Sequence, residues 1–196
     1  MSTWIFGYGS LVSPTSLAST IGRTVTPGVD RHVVRVAGYG RRWNYGSKSL
    51  RGDWETDGGA PVRSGVVVSL GLVEAPDEST NGVIFEVDDV ERAELDWRES
   101  AYDRIDITDR VTVLDATGER TPNAPVAVYF PHPSSIERYK EHRDAGTAAI
   151  RRSYWDLVDE AFVELGGDHA DRYRRTPAPD VPIADIRLHP RPPRQP

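Results

Sequence analysis

The chain contains no cysteine, which excludes disulfides, thiolate metal sites and a cysteine nucleophile. Lysine is nearly absent as well: Lys48 and Lys140 are the only two, so the basic side chains are almost all arginine. The 24 lysines and arginines are outnumbered by 30 acids, a net charge of −6. A general nucleic-acid binder needs a basic face for phosphate contacts, so nucleic acid is not an expected partner. No run of ~18 apolar residues is present to span a membrane, and MSTWIFGYGS lacks the basic stretch and long apolar core of a signal peptide. The five histidines, at positions 32, 132, 142, 169 and 189, form no i, i+4 pair with a glutamate in the zinc-protease arrangement, and no metal or cofactor is expected. What remains is 196 residues, 38% hydrophobic and 28% charged. That is enough for one domain with a core, and the expectation is a soluble, cytoplasmic protein without a membrane partner. The arginine pairs Arg41-Arg42, Arg151-Arg152 and Arg174-Arg175 lie among acids and read as solvated faces.

Along the chain, Thr3 to Gly9 is an apolar, aromatic run closed by glycine, a strand entering a tight loop. Ser13 and Pro14 suit the N-cap and first turn of a short helix over Ser16 to Ile21. His32 to Tyr45 is rich in β-formers and broken by Gly38 and Gly40, so a long strand with a bend is expected. Residues 46 to 64 are polar and glycine-rich, predicting a mobile loop. Two strands follow, Gly65 to Val73 and Gly82 to Val87, separated by a turn around Pro76 to Asn81. Asp88 or Asp89 caps a short helix from Val90 to about Arg98. YDRIDITDRVTVL then alternates like a strand, and Pro125 to Phe130 is the last clear one. Ser134 and Glu137 have capping-box spacing, opening a helix that Gly146 closes. A second helix is expected over Thr147 to Leu165, burying Ile150, Tyr154, Leu157, Val158, Ala161 and Leu165. The domain is taken as 1–175, and 176–196 as a proline-rich tail, extended along the surface or partly disordered. The order of elements predicts α+β: a small mixed, mostly antiparallel β-barrel or sheet with flanking helices.

Three places carry chemistry. Gly7-Tyr8-Gly9-Ser10-Leu11-Val12 starts like a dinucleotide fingerprint, but Val12 stands where the third glycine belongs and no βαβ pattern follows. Its glycines suit either a backbone concavity that holds a carboxylate or phosphate oxygen, or a strand-ending turn with positive φ. Glu99 stands near the junction of a helix and a strand. Beside Trp97 and Tyr102 it would be partly desolvated, which raises a carboxyl pKa and makes a proton shuttle near neutrality. The alternative is a helix-surface acid paired with an arginine. Ser10 with His32 as base is a third option, without the G-x-S-x-G elbow.

Four segments in order resemble the γ-glutamylcyclotransferase-like proteins, including the glutathione-degrading ChaC-like branch. They are WIFGYGSLVSP at Trp4 to Pro14, GYGRRWNYGSKSLRG at Gly38 to Gly52, LDWRESAY at Leu95 to Tyr102, and AVYF at Ala127 to Phe130 followed by PSSIERYKEHRDAG. Together they cover most of residues 3 to 155. The resemblance implies a cofactor-free reaction: the α-amine of a γ-glutamyl substrate attacks its own γ-carbonyl, closes 5-oxoproline and expels the attached amine or peptide. It implies Glu99 as the catalytic acid and base, with Tyr8, Gly9, Ser10 and Leu11 holding the glutamyl moiety and Tyr129 and Tyr139 lining the pocket. Two details depart from the ChaC-like pattern: the short step from Glu99 to Tyr102, and Leu50 where a histidine precedes the Arg-Gly turn. The expected partner is a small γ-glutamyl molecule, its leaving group open between glutathione, a γ-glutamyl amino acid and a γ-glutamyl amine. Two further readings are a non-catalytic member of the same fold that binds a small acidic metabolite or a protein, and a serine hydrolase using Ser10.

Overall fold

The computed structural model describes residues 3–115 and 118–190. In order these form β1 (Thr3–Gly7), a 3-10 turn (Ser10–Val12), α1 (Pro14–Ile21), β2 (Arg31–Glu55), β3 (Pro61–Val87), α2 (Asp89–Arg98), β4 (Tyr102–Asp106), a second 3-10 turn (Thr108–Arg110), β5 (Val111–Asp115), β6 (Gly118–Arg120) and β7 (Val126–Pro131). Then come α3 (Pro133–Asp144), β8 (Ala148–Arg151), α4 (Arg152–Glu164), α5 (His169–Arg174), β9 (Ile183–Ala184) and β10 (Arg187–Leu188). All ten strands join one sheet, in the order β4-β7-β1-β3-β2-β5-β6, with β10 beside β2, β8 beside β3, and β9 beside β8. The pairs β1–β7, β3–β8 and β8–β9 are parallel and the others antiparallel. This is the expected α+β, mostly antiparallel arrangement, as an open sheet: among the described residues no ladder joins β4 to β6. No helix among them is long and apolar enough to cross a membrane.

β1 lies between two neighbours and buries Trp4, Ile5 and Phe6 almost completely. A strand covered on both faces needs a continuous apolar run, which TWIFG supplies. Both predicted helix starts near it are found. Ser13 accepts from Ser16 N at 3.3 Å at the head of α1. Asp88 caps α2 in a reciprocal box, accepting from Val90 N and Glu91 N at 2.8 Å while Glu91 accepts from Asp88 N at 3.0 Å.

Several expectations are corrected. The predicted loop 46–64 is mostly strand: β2 runs to Glu55, β3 starts at Pro61, and only the turn at 56–60 separates them. Its glycines and serines mark register shifts between Gly46 and Arg51 and between Gly52 and Trp54, and such bulges bend and twist a strand without ending it. The predicted turn at Pro76 to Asn81 also lies within β3, where the register jumps from Tyr39↔Glu74 to Ala37↔Ser79. YDRIDITDRVTVL forms two strands parted by the second 3-10 turn. The capping box at Ser134 does not form: α3 starts two residues earlier than such a cap would place it, at Pro133, with His132 at the N-cap and Ser135 buried. Pro133 suits the first helical position because its missing N–H has no intrahelical acceptor to lose.

Thr147 to Leu165 is not one helix. Ala148 to Ile150 pair in parallel with Val66 to Val68, and the helix begins only at Arg152. Side-chain spacing cannot reveal a partner that far along the chain. PVAVYF is therefore not the last strand. Beyond Arg175 the chain is extended, as expected, but tied down: Val181 and Ile186 are buried, Leu188 pairs with Gly52, and Arg187 Nη2 meets Asp53 at 2.9 Å. Residues 191–196 of the expected tail lie outside the described ones. Arg41 is not on a solvated face; it is 4% exposed.

α3 crosses β2 at Gly46, where an added Cβ would lie 2.7 Å from Tyr139 N and 2.9 Å from Tyr139 Cα. Both obstacles are backbone and cannot rotate away. Gly46→Ala is expected to destabilise the fold by about 1–3 kcal/mol, the usual range for overpacking. Urea unfolding of the two proteins measures the difference.

Candidate active site

A narrow cavity of about 50 Å³ lies under the loop that follows β1, bordered by Tyr8, Gly9, Leu70, Glu99, Tyr129 and Tyr154. It adjoins a chamber of about 500 Å³, with Ser10, Glu99, Tyr102 and Tyr154 common to both. The larger, open cavity of about 850 Å³ at the far end of the β2–β3 hairpin shares no residue with either.

Glu99 owes its place to a helix end. It is the C-cap of α2, its N–H donates to Leu95 O at 2.8 Å, and its own carbonyl accepts from Tyr102 N at 2.8 Å. The fully buried Leu95 anchors that end of the helix, and the tight turn starts β4 at Tyr102. The carboxylate is 15% exposed and pairs with Arg98 Nε at 3.1 Å. The Arg98 guanidinium supplies the carboxylate with a counter-charge. Arg98 also donates to Ser10 Oγ at 3.3 Å and to Thr20 Oγ1, tying α2 to the loop and α1. Both the junction and the pairing with an arginine were legible in the sequence. Trp97 does not shield the acid as expected; it is 52% exposed. Tyr102, also expected beside Glu99, borders the same two cavities, as does Tyr154.

The carboxylate's field reaches Tyr8, Tyr45, Tyr102 and Tyr154, adding to burial in holding these phenols protonated. Tyr154 is pushed up to about 12, by burial first, and Tyr8 and Tyr102 well above their ordinary value. Tyr8 Oη donates to Tyr129 O at 2.9 Å. Tyr45 and Tyr102 stack with centroids 4.4 Å apart. A group of neutral hydroxyl donors beside one carboxylate suits a substrate bearing both an ammonium and carbonyl oxygens.

The glycines of the loop are not explained by positive φ. Gly9 has φ −134°, and Gly7 is not among the residues with positive φ. Close approach explains them: a Cβ on Gly7 would lie 2.9 Å from Leu11 Cβ, and one on Gly9 would lie 3.0 Å from Tyr154 Oη.

Of the residues singled out from the sequence, Tyr8, Gly9, Ser10, Leu11, Glu99 and Tyr129 all border the narrow cavity. Tyr129 accepts from Tyr8 through its backbone carbonyl, while its hydroxyl donates to Asp96 Oδ1 at 2.8 Å. Tyr139 lies elsewhere, on α3, donating to Asp180 of the C-terminal segment. Its side chain holds that segment against the helix. The reading of Ser10 as a nucleophile does not find its expected base, His32, beside it: Ser10 accepts from Arg98 at the cleft, while His32 packs on Trp4 with centroids 5.2 Å apart. Tyr45, Leu70 and Arg98 were missed, and Tyr154 was read only as a buried helix position. Each comes from a separate element, and no local spacing signals their meeting. Among the described residues no group of three or more His, Asp or Glu is placed to hold a metal ion.

A group whose folded pKa is raised adds stability below its unfolded value, and that stability is lost as pH climbs through the folded one. The cleft phenols therefore predict that the unfolding free energy falls as pH rises from 10 towards 12. The buried Arg41, pulled down to about 10 by burial, works in the opposite sense but is outnumbered. Urea unfolding at pH 8, 10 and 11.5 checks the sign; a flat or rising profile would contradict it.

Solved structures resemble this fold at low identity. A γ-glutamyl cyclotransferase is 14% identical over 92% of this chain and 90% of its own, with a TM-score of 0.53. An uncharacterized protein from Homo sapiens is 14% identical over 91% of this chain and 90% of its own, with a TM-score of 0.52. A protein from Arabidopsis thaliana is 20% identical over 70% of this chain, with a TM-score of 0.44; the chain covers 64% of that protein. No curated protein matches the sequence. The family described as ChaC-like protein matches residues 3–150, a span that holds β1, the glycine loop, the α2 terminus and β7, and the chain belongs to that family.

Proposed function

We propose that the protein is a γ-glutamyl cyclotransferase that converts a γ-glutamyl amide to 5-oxoproline and releases the attached amine. The observation that carries this reading is the position of Glu99, at the boundary between a narrow cavity under the Tyr8–Leu11 loop and a wide polar chamber. The glutamyl moiety occupies the first and its leaving group the second.

The substrate supplies both nucleophile and electrophile. Its α-ammonium gives a proton to Glu99, and the freed amine attacks the γ-carbonyl carbon. The C–N bond to the leaving group breaks as Glu99 returns that proton to the departing nitrogen. The extra proton still on the new ring nitrogen follows through the same carboxylate, so that 5-oxoproline leaves as the neutral lactam and the amine as its ammonium. Atoms and charge balance without water, metal or redox cofactor. The ring closes within one molecule, so holding the glutamyl chain folded is a large part of the catalytic task. Backbone N–H groups of Gly9, Ser10 and Leu11, at the head of a helical turn that offers them no internal acceptor, serve the carboxylate or the developing oxyanion. The Tyr154 and Tyr102 hydroxyls stay protonated and donate.

The chamber supports an amino-acid or peptide leaving group over a plain aliphatic amine. Ser47, Ser49, Ser69 and Ser153 line it together with Arg98 and Arg151. Hydroxyls and guanidiniums suit the peptide and carboxylate groups of such a product. Glutathione and γ-glutamyl dipeptides head the panel on that ground.

Mass-spectrometric detection of 5-oxoproline from glutathione, γ-glutamyl dipeptides and γ-glutamyl amines tests the reaction. Glu99→Gln is isosteric but cannot carry the proton, and kcat is expected to drop about 10²–10⁴-fold with an unchanged circular dichroism spectrum. Near wild-type turnover in that variant would remove Glu99 from the mechanism. Gly9→Ala displaces the Tyr154 hydroxyl, and KM is expected to rise; steady-state kinetics on the best substrate measures it.

A further inference from the structure

Arg41 is a buried cation without an acid. It is 4% exposed, and among the described residues no carboxylate pairs with it. Its guanidinium lies over the rings of Phe162 and Tyr173, at 4.6 and 5.3 Å from their centroids. It donates to Asn81 O, with longer contacts to Asn81 Oδ1 at 3.5 Å and Thr176 Oγ1 at 3.4 Å. Its Nε is buried with no acceptor. A charge taken out of water is ordinarily neutralised by a counter-charge, and here the protein provides none.

The same side chain borders a cavity of about 200 Å³ that shares no residue with the Glu99 cleft. Four more arginines border it, Arg35, Arg42, Arg172 and Arg175, with Glu78 the single acid. Glu78 is engaged by Arg42, Oε2 accepting at 2.9 Å. Arg35 and Arg172 are held from outside the cavity, by Glu119 at 2.9 Å and Asp168 at 2.7 Å. Ser79, Thr80 and Thr176 add hydroxyls and Asn81 an amide. Five guanidiniums around one small cavity stand out in a chain whose net charge is −6.

We infer that this cavity, between the β2–β3 edge and α5, binds a small, multiply charged oxyanion, a phosphorylated or polycarboxylate metabolite, separate from the γ-glutamyl cleft. Guanidiniums meet phosphate and carboxylate oxygens in bidentate pairs, and the cavity is sized for a compact anion. The buried Arg41 forms the floor, where its Nε and the loosely held Nη1 have hydrogen-bonding capacity to offer. The surface arginines Arg172 and Arg175 cover the ligand from the solvent side. Burial pulls Arg41 down to about 10, which still leaves it cationic at neutral pH.

Thermal unfolding of the full chain with pyrophosphate, inorganic phosphate or citrate, against sodium chloride of equal ionic strength, tests the site. For the best anion at a hundred times its dissociation constant, Tm is expected to rise by about 5–10 °C above the chloride control. Arg172→Glu/Arg175→Glu changes only exposed side chains and should fold normally, lose that rise, and leave 5-oxoproline release unchanged. Arg41→Lys keeps the charge but not the planar fork, and weakens binding by at least tenfold in calorimetry. A response to pyrophosphate and phosphate alone, or to citrate alone, identifies the head group. No rise above chloride with any of the three, or an equal rise in the double variant, overturns the inference. The Tm and calorimetric readouts do not depend on turnover, so the result stands apart from the fate of the cyclotransferase reading.

Discussion

The pairing of β2 with β3 is the constraint on which the rest of the structure depends. Two strands of 25 and 27 residues are too long to stay flat, because each strand twists and the twist accumulates. The bulges near Gly38, Gly46 and Gly52 let the hairpin bend and remain paired. Every other layer is fastened to it: β1 and β8 on β3, β5 and β10 on β2, and α3 across Gly46. The hairpin also contributes one wall of the chamber, through Tyr45, Ser47 and Ser69, a border of the narrow cavity, through Leu70, and part of the lining of the arginine-lined cavity, through Arg41. These cavities are consequences of how one hairpin curves.

The Glu99 site is assembled where three local signals converge on that frame. A strand ends in glycines, so the loop after it packs tightly enough for the Tyr154 hydroxyl to lie beside Gly9. A helix ends at Glu99, and the turn to Tyr102 leaves the carboxylate pointing at that loop. Arg98, one residue earlier, binds both the acid and Ser10. One carboxylate is thereby left among protonated phenols, with a cation on one side. In the proposed reaction this setting lets Glu99 pass a proton over a short distance.

Burial is distributed unevenly between the two sites. At Glu99 the charge is matched by Arg98, and its cost is contained within the protein. At Arg41 the surroundings are aromatic rings, a backbone carbonyl and an amide. Stacking on Phe162 and Tyr173 repays part of the desolvation. The remainder is what distinguishes this arginine from Arg174, which is exposed and paired with Asp159 at 2.8 Å.

What the sequence by itself determined was local. The apolar run of β1, the Ser13 and Asp88 caps, the position of Glu99 at a helix–strand junction and the order of the family segments all rest on neighbours within a few residues. They were legible because hydrogen-bond capping and apolar periodicity act at that range. What only the tertiary structure decided was pairing at a distance. Residues 46–55 became strand because β3 supplied their acceptors, despite a composition that suits a loop. Ala148 to Ile150 became strand because the backbone of Val66 to Val68 supplied their ladder partners. Tyr154 reached the cleft while Tyr139 was held by Asp180, and Arg41 was buried while Arg42 stayed at the surface. Side-chain spacing carries no information on which distant edge a segment will meet, and at each of these positions that meeting chose the outcome.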